Sequence, residues 1–183
     1  LGAERGAQST ENLSYVRPDR STHVLRAGLQ HEAPWGSVQA HWRRDRTSDF
    51  GAAASTLLGA TWRFAPRWSA IASVANSFTP PTLDFLYFDC APFGFACSNP
   101  DLRPEVQWTA EAGTTLRHPS AKLQAVGFYQ VLEDGITRVS VATPTGNKYQ
   151  RVNQGRTTGI GLELFGESAL RAVRFGGDLT VQR

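Results

Sequence analysis

Cys90 and Cys97 are the only cysteines of the chain, and six residues separate them. That spacing suits a small disulfide loop in an oxidising compartment, with two unrelated thiols as the alternative. No histidine or third cysteine stands at zinc spacing, so no metal site is expected. His23, His31, His41 and His118 are dispersed. No nucleophile elbow, phosphate loop, zinc-protease helix motif or calcium loop occurs. Neither an enzyme nor a bound cofactor is expected. Phe85, Tyr87, Phe88, Phe93 and Phe95 flank or lie inside the cysteine pair. Exposed on a tethered loop, these rings would take up a planar or amphipathic ligand. Packing of the loop against itself and its surroundings is the competing use. Arg43, Arg44 and Arg46 enclose Asp45 and form the densest basic group. They would draw an anionic ligand by field alone, or face solvent or lipopolysaccharide. The net charge is +3, and the basic residues are scattered among acids. A nucleic-acid partner needs a sustained basic stripe, so none is expected.

The elements that must hold these residues follow a period of two. Trp108, Ala110, Ala112, Thr114 and Leu116 alternate with Gln107, Thr109, Glu111, Gly113, Thr115 and Arg117. Similar alternation runs through Leu25 to Gln30, Val38 to Arg43, Leu58 to Phe64, Trp68 to Val74, Thr158 to Leu164 and Val173 to Val181. Leu123 to Leu132 is less regular, because Val126 and Phe128 fall on the polar parity. A weak strand around Leu13 to Val16 brings the count to roughly nine. Most exceed the about five or six residues of a soluble strand, and suit the about nine to eleven that cross a bilayer at a tilt. No run of apolar residues is long enough for a membrane helix, and the mean hydropathy of −0.32 agrees with strands that average apolar and polar faces.

The connections alternate in length. Pro34-Trp35-Gly36, Ala65-Pro66-Arg67, His118-Pro119-Ser120 and Glu167 to Arg171 read as short. Arg44 to Ala53, Asn76 to Pro104 and Ala142 to Lys148 read as longer. A membrane barrel sorts its loops in this way, with tight turns at one end and long loops at the other. Trp35, Phe64 and Trp68 stand beside short turns, and Trp42 and Trp108 nearer the long loops, as interfacial aromatic girdles would. The fold class expected is all-β, an antiparallel transmembrane β-barrel segment.

Three segments carry a resemblance. The first is Asn76-Ser77-Phe78-Thr79-Pro80-Pro81-Thr82-Leu83, followed by Asp84-Phe85-Leu86-Tyr87. The second is Asn99-Pro100-Asp101-Leu102-Arg103-Pro104-Glu105, with Glu111 and Gly113 downstream. The third is Val152-Asn153-Gln154-Gly155, then Gly161-Leu162-Glu163-Leu164. In order and spacing they resemble the carboxy-terminal half of TonB-dependent receptor barrels, most closely over residues 75–166. Architectural roles are expected for Pro81, Asn99, Pro100, Leu102, Pro104, Glu105, Glu111, Gly113, Asn153, Gly155, Gly161 and Glu163. Pro100 and Pro104 fix the re-entry of the loop to the barrel rim. Asn99 caps a turn. Glu111 and Glu163 face lumen or plug, and Gly113, Gly155 and Gly161 relieve crowding on the inner wall.

The resemblance implies that residues 1–183 are a partial barrel domain, roughly nine strands of a larger barrel of about 22. Plug domain and terminal strands would lie outside it. Leu1 to Arg5 lacks the pattern of an export signal, which truncation would explain. The implied function is part of a receptor in the cell outer membrane of a Gram-negative bacterium, importing a scarce nutrient. A ferric siderophore is the foremost substrate, with cobalamin a lesser option. The implied partners are outer-membrane lipid, the receptor's own plug domain, TonB, and a small-molecule ligand, expected to be a metal chelate. Two other readings stand beside it. A small structural or adhesion barrel would need an even strand count and a terminal aromatic strand. A secreted β-sandwich binding module would have shorter strands and no sorting of loops.

Overall fold

The computed structural model describes residues 1–9, 19–88, 98–144 and 146–183. The strands are β1 (Gly2–Ser9), β2 (Asp19–Ala33), β3 (Gly36–Thr47), β4 (Gly51–Ala65), β5 (Trp68–Thr79), β6 (Glu105–His118), β7 (Ala121–Thr143), β8 (Gly146–Leu170) and β9 (Val173–Gln182). Among the described residues a single short helix, α1 (Leu83–Tyr87), lies between β5 and β6. The strands form one nine-stranded antiparallel sheet in chain order. The expected first strand around Leu13 to Val16 lies outside the described residues, and β1 takes its place in the count.

The register turns the alternation of the sequence into two faces. Directly paired residues project to the same side of a sheet. Leu29, Ala40, Leu58, Val74, Ala110, Tyr129 and Ile160 are successive partners across seven strands. One residue along, Gln30, Gln39, Gly59, Ser73, Glu111, Phe128, Gly161 and Gln182 form a second row. The first row is apolar and the second mostly polar, so Trp108, Ala110, Ala112 and Leu116 share one face of β6 and Glu111 the other. The apolar face is uncovered: Leu29 is 69% exposed and Ile160 60%. Among the described residues only Val24, Leu83, Leu86, Tyr87, Leu102 and Val131 are buried hydrophobics. A soluble sandwich would hide such a face beneath a second sheet, and none packs on it among the described residues. Lipid is the solvent in which this face is stable.

Val126 and Phe128, which break the alternation, lie on the polar face, and two glycines explain how they fit there. A Cβ on Gly161 would come within 2.4 Å of the Phe128 ring and 2.7 Å of the Val181 carbonyl oxygen. A Cβ on Gly113 would lie 2.3 Å from the Ala125 carbonyl oxygen and 2.9 Å from Val126 Cα. Missing side chains on β6 and β8 thus make room for bulk on β7.

The short turns fall at one end of the sheet, as a meander requires, but Glu167 to Arg171 is corrected there: β8 stays paired to Leu170 and the turn is Arg171 and Ala172. At the other end two expectations need correction. Arg44 to Ala53 is not a loop: β3 runs to Thr47 and β4 restarts at Gly51. Ala142 to Lys148 is not a loop either, because β7 and β8 remain paired out to Thr143 and Gly146. Polar residues near strand ends look like loop in the sequence because they lack an apolar face. Beyond the barrel wall a hairpin needs no such face, since it stands in water. β7 pairs with β6 only as far as Glu133, so the hairpin runs on past β6 by about ten residues, roughly 30 Å at the rise of a strand, with its base held by the β5–β6 connection.

Candidate functional site

The long connection between β5 and β6 is fastened to the sheet at both flanks. Thr82 caps α1, its hydroxyl accepting from the Phe85 amide at 3.3 Å. The helix buries Leu83, Leu86 and Tyr87, and Leu102 from the returning chain joins them. Phe85 and Ile136 pack against this cluster. It lies at the long-loop end, where the barrel wall offers no lipid to cover apolar groups, so the connection makes a small core of its own.

On one flank Arg20 of β2 is the tie. Its guanidinium donates to Asp49 at 2.5 Å and to the Pro81 carbonyl at 2.6 Å. It also lies 5.2 Å from the centre of the Phe50 ring. The Asp49 side chain is fully buried, and Pro81 is among the most buried residues. A buried ion pair of this kind survives only with its remaining polar atoms satisfied, and the proline carbonyl supplies that third partner.

On the other flank the second and third sequence motifs meet. Asn99 donates to the Arg151 carbonyl at 2.8 Å, while its own amide oxygen accepts from the Asp101 amide at 3.0 Å. The Asn99 backbone amide donates to the Phe85 carbonyl at 2.8 Å. Asn153 brackets Arg103, accepting from its amide at 2.8 Å and donating to its carbonyl at 2.9 Å. The same Asn153 amide group donates to the Asp134 carbonyl at 2.7 Å. Glu105 accepts from the Ile136 amide at 2.7 Å, and Arg103 pairs with Asp134 at 2.7 Å. These contacts surround an irregularity in β7 between Leu132 and Ile136, where Asp134 has φ 55°. The bulge frees backbone groups of β7 from the ladder, and the side chains of Glu105 and Asn153 take them up. Gly155 pairs with Gly135, and a Cβ on either would lie 3.2–3.3 Å from the opposite backbone.

The sequence-predicted residues therefore divide by place. Pro81, Asn99, Leu102, Glu105, Asn153 and Gly155 converge on this fastening. Pro100 and Pro104 bound the returning segment, the first exposed and the second half-buried. Glu111, Gly113, Gly161 and Glu163 line the polar face of the wall, with Glu111 accepting from the Ser73 hydroxyl at 3.1 Å. Tyr87 is only 7% exposed. The helix turns that ring into the cluster, the packing use that stood beside ligand contact for these aromatics. Phe85 is half-buried and the Arg151 guanidinium covers its face at 3.7 Å, so packing uses it too. Phe88 is half-buried. Phe93, Phe95, Cys90 and Cys97 lie outside the described residues. Among the described residues no cluster of three potential metal ligands occurs.

Arg20, Asp49, Asp134, Gly135 and Arg151 were not anticipated. The Asp134-Gly135 dipeptide is a local turn and bulge signal; the others have no local signature.

The family model described as TonB dependent receptor-like, beta-barrel, matches residues 3–182. Among solved structures, the siderophore receptor PirA from Pseudomonas aeruginosa superposes with a TM-score of 0.83 at 19% identity, over 99% of this chain and 35% of that one. The FrpB iron transporter from Neisseria meningitidis superposes with a TM-score of 0.73 at 14% identity, over 92% and 26%. A mutant of the ferric enterobactin receptor PfeA from Pseudomonas aeruginosa gives 0.72 at 19% identity, over 90% and 27%. The chain thus spans about a third or less of the length of each. No curated protein sequence matches it.

Proposed function

The chain belongs to the TonB-dependent receptor β-barrel family, and from that premise we propose that it forms part of the wall and rim of an outer-membrane receptor that imports a ferric siderophore. The observation that carries the reading is the two-sided fastening of the β5–β6 connection. Arg20 holds its start and Asn99, Arg103 and Asn153 hold its return, so both described flanks of the connection are fixed. A receptor that captures dilute ligand gains from such preorganisation, since less ordering entropy is lost on binding.

In this proposal Phe88, Phe93 and Phe95 offer apolar contact to the ligand, and the Cys90–Cys97 pair closes their loop. The polar face, with Gln30, Gln39, Ser73 and Glu111, lines the path that the plug domain fills. TonB supplies the energy that moves the plug, and the apolar face sits in outer-membrane lipid of a Gram-negative cell. The names of the structural neighbours support the substrate class. The cobalamin option has no such support.

The test is uptake by the parent organism. Iron-starved cells with and without the gene are given ferric siderophores carrying radioactive iron, and labelled cobalamin in parallel. Iron uptake that needs both the gene and TonB is the expected result. Loss of cobalamin uptake alone would replace the substrate. No loss of either would reject the importer.

A further inference from the structure

The part of the β7–β8 hairpin that runs past β6 sets two arginines against each other. Ile136, Arg138 and Ser140 of β7 are the partners of Asn153, Arg151 and Tyr149 of β8, and residues two apart on a strand share a face. This face is turned to the β5–β6 connection, since Ile136 packs on its core and Asn153 bonds to Arg103. Like charges directly opposite each other destabilise a strand pair, so Arg138 against Arg151 is a local cost to the fold. Each is held by a ring instead. The Arg138 guanidinium carbon lies 4.0 Å from the centre of the Tyr149 ring, and that of Arg151 3.7 Å from the centre of Phe85. No acid answers either of them: the ion pairs among the described residues belong to other arginines.

A ring holds a guanidinium by its face and uses none of its N–H donors, which lie in the guanidinium plane. Both forks therefore keep their donors, and they stand in water rather than in the barrel wall. Arg138 and Tyr149 are exposed and Arg151 is half-buried. Cross-strand partners lie about 5 Å apart, so both forks reach oxygens of one ligand. The ligand they fit carries several anionic oxygens, which guanidinium groups take in a bidentate fashion. It also carries those oxygens on flat rings, because the face of Arg138 away from Tyr149 stacks a second ring.

We propose that Arg138 and Arg151 set the substrate class, selecting a ferric chelate built from catecholate rings over one built from hydroxamates. The inference rests on the reading of the chain as part of a ferric-siderophore importer. Three catecholates, each doubly anionic, leave iron(III) in a trianionic complex. Three hydroxamates, each singly anionic, leave it neutral. Only the first brings a counter-charge to the arginine pair. A charge-assisted contact contributes about tenfold in affinity, so removing both guanidinium groups should weaken tricatecholate binding about 100-fold and leave trihydroxamate binding as it was.

The experiment uses the full-length receptor in detergent, titrated with ferric enterobactin as the tricatecholate and with ferrichrome as the trihydroxamate, and read by quenching of tryptophan fluorescence. Heat-modifiable gel mobility of each preparation establishes that the barrel is folded. The unaltered receptor should bind ferric enterobactin more tightly than ferrichrome. Arg138→Gln should lose about tenfold in affinity for ferric enterobactin, and Arg138→Gln with Arg151→Gln about 100-fold. Arg174→Gln, at the short-turn end of the sheet, should bind it unchanged. Undiminished binding by the double variant would overturn the site, and equal loss in Arg174→Gln would replace it by the general field of the protein. Ferrichrome bound as tightly as ferric enterobactin would overturn the substrate class and leave the importer reading standing. Binding of neither by a folded barrel would overturn the class as well, and the uptake experiment then decides the importer.

Discussion

Asn153 makes three hydrogen bonds to the backbone of two other segments, and its replacement has a calculable consequence. Asn153→Ala removes one acceptor from the Arg103 amide and one donor each from the Arg103 and Asp134 carbonyls. The side chain is half-buried, so water recovers part of each loss. At about 0.5–1 kcal/mol per bond the fastening should weaken by about 2 kcal/mol. The effect is local, because the barrel ladders remain intact. It should appear as amide exchange about 30-fold faster in the returning segment. A peptide covering residues 98–104 of the full-length receptor, followed by mass spectrometry, reports it directly. Pro100 and Pro104 carry no amide, which leaves the bonded amides of Asn99, Asp101, Leu102 and Arg103 to dominate the signal. Asn153→Asp is the sharper variant. It keeps shape and the acceptor, but turns a second acceptor toward two carbonyls, so its protection should fall at least as far. Wild-type protection in Asn153→Asp would refute the assignment of the fastening to the amide donors.

Gly113→Ala should impair barrel assembly, seen as loss of heat-modifiable mobility, because the new Cβ meets β7 backbone at 2.3 Å and only a strand shift relieves it. Gly177→Ala, with nothing within 4 Å of the added carbon, should assemble normally and change stability by less than about 0.5 kcal/mol. Arg20→Ala should destabilise the rim by about 3 kcal/mol, since it leaves the buried Asp49 carboxylate unpaired. Arg20→Ala with Asp49→Ala should be milder than Arg20→Ala alone, and a double-mutant cycle on protease resistance of the β5–β6 connection reads the coupling. Cys90 and Cys97 should resist alkylation before reduction and each gain one alkyl group after it, as intact mass would record.

The fold was legible in the sequence because a strand advertises its two faces locally. Alternation along Trp108 to Leu116 needs no knowledge of the partner strand, and a wet inner face opposite a lipid-facing one repeats the signal on strand after strand. The motifs were legible as a family likeness, which gave their order but not their meeting. Asn99 and Asn153 are far apart in sequence, and nothing local says that both fasten the return of one connection; register alone brings β8 beside the returning loop. The same holds for Arg20 and Pro81, whose bond spans 61 positions. Tyr87 shows the limit most plainly. Composition marks it as an aromatic in a loop, and only the packing of α1 decides that the ring turns inward, because burying it against Leu102 removes apolar surface from water that the barrel wall has no means to cover.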